Sequence, residues 1–303
     1  MNSNPFNIRE TEGRIVFILA GALISLLAFS YALGQKVDRD NHSKPTRVAE
    51  KVFPAVAVEA KSAYVLDLRT GKPLFAKDPN LALPLASVTK LMSALVASDL
   101  SETKQTVSVS ERAIENYGDS GLKVGERWRL QDLLDFSLIT SSNDGIRAVA
   151  LTLSTLENFV HKMNDKAKEL GLGYTYFQNE SGLDENSSEP GAYGSARDVA
   201  NLMAYILKNK PELLEATKEE ETTITSLDNR AHLAKNTNVL TGRVPGLLAS
   251  KTGFTDLAGG NLAFAFDPEI GHPIVVVILG SSAEGRFQDA NNLVEAVLDY
   301  LKQ

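Results

Sequence analysis

The chain has 303 residues, 43% hydrophobic and 23% charged, which suffices for a full-sized core and lies far from the composition of a disordered chain. Its formal net charge of -7 opposes a nucleic-acid partner, because binding phosphates requires clustered Lys and Arg. With no cysteine there is no disulfide framework, thiolate metal site or cysteine nucleophile, and His42, His161, His232 and His272 show no metal-ligand spacing.

The first element is the uncharged run 15–34, IVFILAGALISLLAFSYALG. At about 1.5 Å per residue it matches the roughly 30 Å hydrocarbon core of a bilayer. Residues 1–34 are thus expected to be a short cytoplasmic stub and a single membrane-spanning anchor. A cleaved signal segment is the competing reading, with Ala32 and Gly34 as small residues near its end. Arg9 and Arg14 are offset by Glu10 and Glu12, so flanking charge does not set the orientation. Either reading sends the rest of the chain outside the cytoplasm. The polar stretch 35–53 reads as a linker and residues 54–303 as one folded domain.

Within that domain, two short apolar runs over 61–80 flank Arg69-Thr70-Gly71 and predict a hairpin. Helical periodicity follows over 87–98, 131–139, 144–153, 157–170 and 195–209, the last opening with Ser195 as a cap three residues before Asp198. Strands are predicted at 261–266 and 274–280, and a closing helix from Phe287. Strands from both chain ends around a helical middle predict an α+β fold, with one antiparallel sheet beside a largely helical lobe.

Ser87 and Lys90 lie three apart at the start of the first helical segment, nearly one turn, so their side chains share a face. A serine hydroxyl needs a base to become a nucleophile, and a lysine serves when its surroundings disfavour its charge. S-x-x-K alone is common. Ser141-Ser142-Asn143 supplies a second hydroxyl and an amide, and Lys251-Thr252-Gly253 precedes the C-terminal strands, where an edge could pair with a peptide.

These three motifs, in this order, mark penicillin-binding proteins and class A β-lactamases. Together with SAYVLDLRTGKPLFAKDPN, FVHKMNDKAKELGLGYTYFQNESGLD, SARDVANLM and ASKTGFTDLAGGNLAFA they make the chain resemble the D-alanyl-D-alanine carboxypeptidases among the low-molecular-mass penicillin-binding proteins. The resemblance implies a β-lactamase/transpeptidase-like fold and no cofactor or metal. It implies peptidoglycan stem peptides as substrate and β-lactam antibiotics as inhibitors. Ser87 would be the nucleophile and Lys90 its base. Ser141 and Lys251 would assist proton transfer to the leaving amine, and Asn143 would bind the substrate amide. Thr252 would contact the terminal carboxylate beside Gly253, and the N–H groups of Ser87 and Phe254 would form the oxyanion hole. Arg286 matches a family arginine near the carboxylate, or is a solvated surface charge.

The chain departs from many relatives in ending about 50 residues after the K-T-G motif, and in having Gly145 where alanine is common. Three rivals share the residues: a D,D-endopeptidase, a β-lactamase with its activating glutamate echoed in Glu180-Ser181-Gly182-Leu183-Asp184, and a non-catalytic binder of wall peptides. His161 is expected at the surface, Trp128 in the core or at its rim, and the Lys218–Glu221 run on a solvated face.

Overall fold

The computed structural model describes residues 21–32, 51–101, 104–115 and 120–303. Residues 21–32 form helix α1, with Leu23, Ile24, Leu26, Leu27, Phe29 and Tyr31 64–70% exposed. The hydroxyls of Ser25 and Ser30 donate to the carbonyls of Gly21 and Leu26. Among the described residues no helix is long and apolar enough to cross a membrane. The remainder of the expected 15–34 span, and the linker as far as residue 50, lie outside the described residues.

Val52–Gln303 forms a compact unit. Its elements are β1 (Ser62–Asp67), β2 (Lys72–Lys77), β3 (Leu83–Pro84), α2 (Lys90–Leu100), β4 (Thr106–Ser108), α3 (Glu111–Ile114), β5 (Arg127–Arg129), α4 (Leu130–Thr140), α5 (Asn143–Leu153), α6 (Leu156–Glu169), β6 (Tyr176–Phe177), β7 (Ala192–Gly194), α7 (Ala196–Asn209), β8 (Glu221–Thr225), β9 (Ala231–Lys235), β10 (Leu247–Thr255), β11 (Gly259–Phe266), β12 (Ile274–Ser281) and α8 (Gly285–Lys302).

The main sheet runs β10-β11-β12-β1-β2, all antiparallel. The predicted hairpin turns where Gly71 takes φ 69° and the Asp67 carboxylate accepts the N–H groups of Arg69 and Thr70. Strand alternation divides the core in two. Ala63, Val65, Phe264, Val276 and Ile278 face one cluster with Leu293 and Val297 of α8. Tyr64, Leu66, Ala263, Val275 and Val277 face the other, shared with α2, α4, α5 and α7. Coverage on both faces explains why β12 reads as the unbroken apolar run IVVVIL instead of an alternation.

Helices begin where hydroxyls cap them: Ser142 accepts from Gly145 N, Thr155 from Asn158 N and Ser195 from Asp198 N. Helix α2 is buried on nearly every side from Lys90 to Ala97, as a helix at the centre of a lobe must be. It starts three residues later than predicted: Ala86–Thr89 is a 3-10 turn, entered through Ala86 at φ 47°. The strand pair β4–β5, the hairpin β8–β9 and the small sheet β3-β7-β6 were not predicted. Their strands are two to five residues long, too short to show a period.

Candidate active site

The site forms where three segments meet: the 3-10 turn leading into α2, the α4–α5 junction, and the edge strand β10. Leu85 N donates to Ala192 O, and Asn261 Nδ2 donates to Pro84 O, so the approach to Ser87 is fixed from two sides. The left-handed Ala86 then turns the chain so that Ser87 opens the helix, 8% exposed. Such a conformation costs a non-glycine residue on the order of 1 kcal/mol, and it is held by these flanking bonds.

Lys90, with no exposed surface, places Nζ 2.7 Å from Ser87 Oγ, 2.7 Å from Asn143 Oδ1 and 2.9 Å from the Ser181 carbonyl. The amide oxygen and the carbonyl can only accept, whereas the serine hydroxyl can donate. Held by these two acceptors, Nζ faces the Ser87 hydroxyl at hydrogen-bond distance.

Ser141 sits at the end of α4 in the left-handed conformation, φ 63°, which swings its hydroxyl out of the helix line. Lys251 Nζ donates to Ser141 Oγ and to Thr252 O, each at 2.9 Å. Burial, then the positive charges of Lys90 and Arg286, hold the Lys251 ammonium well below the usual lysine range. Thr252 Oγ1 is bonded to Thr237 Oγ1, and Phe254 has a half-exposed side chain. At Gly253 an added Cβ would stand 2.9 Å from Leu85 O and 3.2 Å from Ser87 N, so only glycine brings β10 this close to the serine. Arg286 is partly buried: Nη1 donates to Gly253 O at 2.6 Å, and the guanidinium lies over the Phe287 ring. A freely solvated charge does not describe it.

The structure thus gathers Ser87, Lys90, Ser141, Asn143, Lys251, Thr252, Gly253 and Arg286 around one site. It adds residues that sequence reasoning missed. The Ser181 carbonyl is aimed at Lys90 by Asn179, whose Oδ1 accepts from Ser181 N, Ser181 Oγ and Gly182 N. Gly182, at φ 78°, passes so near Ala86 O that a Cβ would lie 2.0 Å away. Asp184 closes the loop onto β10 by accepting from Thr255 Oγ1 and Leu257 N. A glycine after a polar triplet in N-E-S-G was the available signal. Glu180, the possible β-lactamase-like glutamate, is buried in an ion pair with Arg147 at 3.2 Å. Gly145 leaves room for Ser137, whose Oγ would be 2.1 Å from an added Cβ. Among the described residues no cluster of three or more His, Asp or Glu could hold a metal ion. His161 is exposed, and Trp128 is fully buried.

A nucleophile, an adjacent base, a second hydroxyl–amine pair and backbone donors at a helix start make up the equipment for acyl transfer. Comparison with known proteins points the same way. A family model described as D-alanyl-D-alanine carboxypeptidase matches residues 46–283. The chain is 34% identical over 245 residues to D-alanyl-D-alanine carboxypeptidase DacF of Bacillus subtilis, covering 78% of this chain and 59% of the relative. It spans about three-fifths of that relative's length. A solved D-alanyl-D-alanine carboxypeptidase from Mycobacterium tuberculosis superposes with TM-score 0.74 at 28% identity, covering 82% of this chain and 94% of that one. Penicillin-binding protein D2 from Listeria monocytogenes, solved in its ampicillin-bound form, gives TM-score 0.69 at 29% identity over 81% of this chain and 99% of that one. By the extent of the family match and the arrangement of its three motifs, the chain belongs to the D-alanyl-D-alanine carboxypeptidase family.

Proposed function

We propose that this chain is a serine-type D,D-carboxypeptidase that removes the terminal D-alanine from peptidoglycan stem peptides. The observation that carries the reading is the placement of Lys90, whose Nζ lies 2.7 Å from Ser87 Oγ and is held there by Asn143 Oδ1 and the Ser181 carbonyl. Ser87 attacks the carbonyl between the two D-alanines, and its proton passes to Lys90. The oxyanion is met by the N–H groups of Ser87 and Phe254. The C–N bond breaks as Ser141, supplied by Lys251, protonates the leaving amine. Water then hydrolyses the ester on Ser87. Asn143 holds the substrate amide, and Thr252 with Arg286 holds the terminal carboxylate. β-Lactams acylate the same serine.

The enzyme works outside the cytoplasm, held by a single-pass anchor over 15–34. Its support is the uncharged run, the exposed apolar side chains of α1, and serine hydroxyls folded onto helix carbonyls, as a lipid environment requires. Mass spectrometry of the full chain in detergent tests the chemistry. A D-alanyl-D-alanine pentapeptide is expected to lose one alanine, and benzylpenicillin to leave a long-lived adduct on Ser87. Ser87→Ala abolishes both. Rapid turnover of penicillin without peptide cleavage would instead mark a β-lactamase.

A further inference from the structure

The segment joining β9 to β10 carries Asn236-Thr237-Asn238, and its side chains divide the work. Asn236 Nδ2 donates to Thr217 O at 2.8 Å and Glu219 O at 2.9 Å, while its Oδ1 accepts from Asn238 N. Asn238 Oδ1 accepts from Leu240 N. The two asparagines therefore knit the loop to its surroundings. Thr237 does something else. Its N–H donates to Ile139 O, two residues before Ser141, and its hydroxyl, on an exposed residue, bonds to the hydroxyl of buried Thr252. A closed circuit results: Thr237 to the end of α4, Ser141 to Lys251 Nζ, Lys251 Nζ to Thr252 O, and Thr252 Oγ1 back to Thr237.

We propose that Thr237 is a positioning residue for recognition of the substrate's terminal carboxylate, acting through Thr252. The inference rests on the D,D-peptidase reading. Each hydroxyl has one hydrogen and two lone pairs, and a carboxylate can only accept. If Thr252 donated to Thr237, the carboxylate would meet a lone pair. With Thr237 as donor, the Thr252 hydrogen is left for the carboxylate, and each bond of the chain strengthens the other. The β-methyl of threonine restricts rotation and keeps the Thr237 hydroxyl on Thr252. The flanking asparagines hold the loop without it, so the side chain is available for this task alone.

The test uses the full chain with Thr237→Val and Thr237→Ser. Acylation rates are measured by intact mass spectrometry with benzylpenicillin and its methyl ester, alongside KM and kcat for a D-alanyl-D-alanine peptide and its C-terminal carboxamide. Thr237→Val is expected to lose about tenfold in acylation rate and in kcat/KM toward the carboxylate-bearing ligands, the worth of one charge-linked hydrogen bond, and under about twofold toward the masked ones. Thr237→Ser restores most of the loss, and both variants keep the wild-type melting temperature. Equal losses on carboxylate and masked ligands, no loss at all, or a Ser variant as impaired as Val would each overturn the proposal. A wild-type chain that cleaves neither peptide overturns the D,D-peptidase reading instead, and the penicillin pair still decides on Thr237.

Discussion

Lys251 shows how the site sets charge at the level of one residue. It is buried beside two other cationic side chains, so the folded chain holds its proton less tightly than the unfolded chain does. Between the depressed folded value and the ordinary lysine value the unfolded state binds more protons, and stability rises with pH. Below that window both states are protonated and the penalty is complete. Lys251→Met removes the charge and keeps the length. It is expected to melt higher than wild type at neutral pH, with the gap closing as pH rises past the ordinary lysine value of 10.5, above which Lys251 is neutral in both the folded and the unfolded chain. Acylation by penicillin falls by about two orders of magnitude, the usual worth of a proton-transfer group. Differential scanning fluorimetry across pH, with mass spectrometry for acylation, checks both. A lower melting temperature at every pH would mean that the bonds to Ser141 and Thr252 O outweigh the buried charge.

Helix α4 places Ser141 and carries a second perturbed group. Burial pushes Asp135 up from 3.8 to about 6; the Gln131 hydrogen bond works against this, and the charge of Asp132 adds to it. The folded carboxyl keeps its proton in the interval where the unfolded one has lost it, so stability falls as pH rises from about 4 to 6. Asp135→Asn should relieve up to about 3 kcal/mol above that interval and nothing at pH 4, with acylation unchanged. Thermal melts at pH 4 and pH 7.5 read the difference. At this scale much was legible in the sequence: periodicity found α4 to α7, and the hairpin and last strands followed from apolar runs around turn residues. The eight motif residues were legible as chemistry. Their seating was not, because the left-handed Ala86 and Ser141 are backbone states that side-chain identity does not announce. Ser181 acts through its carbonyl, which every residue possesses. Thr237 comes to Thr252 through a hairpin whose strands pair Thr223 with Leu233, and neither strand has a readable alternation of apolar residues.

For the molecule as a whole, the compact unit Val52–Gln303 fastens its own ends: Gln303 Oε1 accepts from Val52 N, and its Nε2 donates to Val52 O. Removing residues 1–51 is expected to leave the melting temperature and the penicillin acylation rate within about twofold, and to abolish partition into detergent. Phase separation in a cloud-point detergent and intact mass spectrometry measure these together. Unchanged partition would remove the anchor from 15–34. The main sheet imposes a further order of events. Tyr64 pairs with Val277 and Val65 with Val276, so the interior strand β1 waits for nearly the whole chain before it gains the neighbour on one side. A nascent polypeptide that has emerged only as far as α7 already contains Ser87, Lys90, Ser141 and Asn143, but neither Lys251 nor the strand that seats it. Assembly of the site is therefore timed by synthesis, complete only when the last strands have left the ribosome.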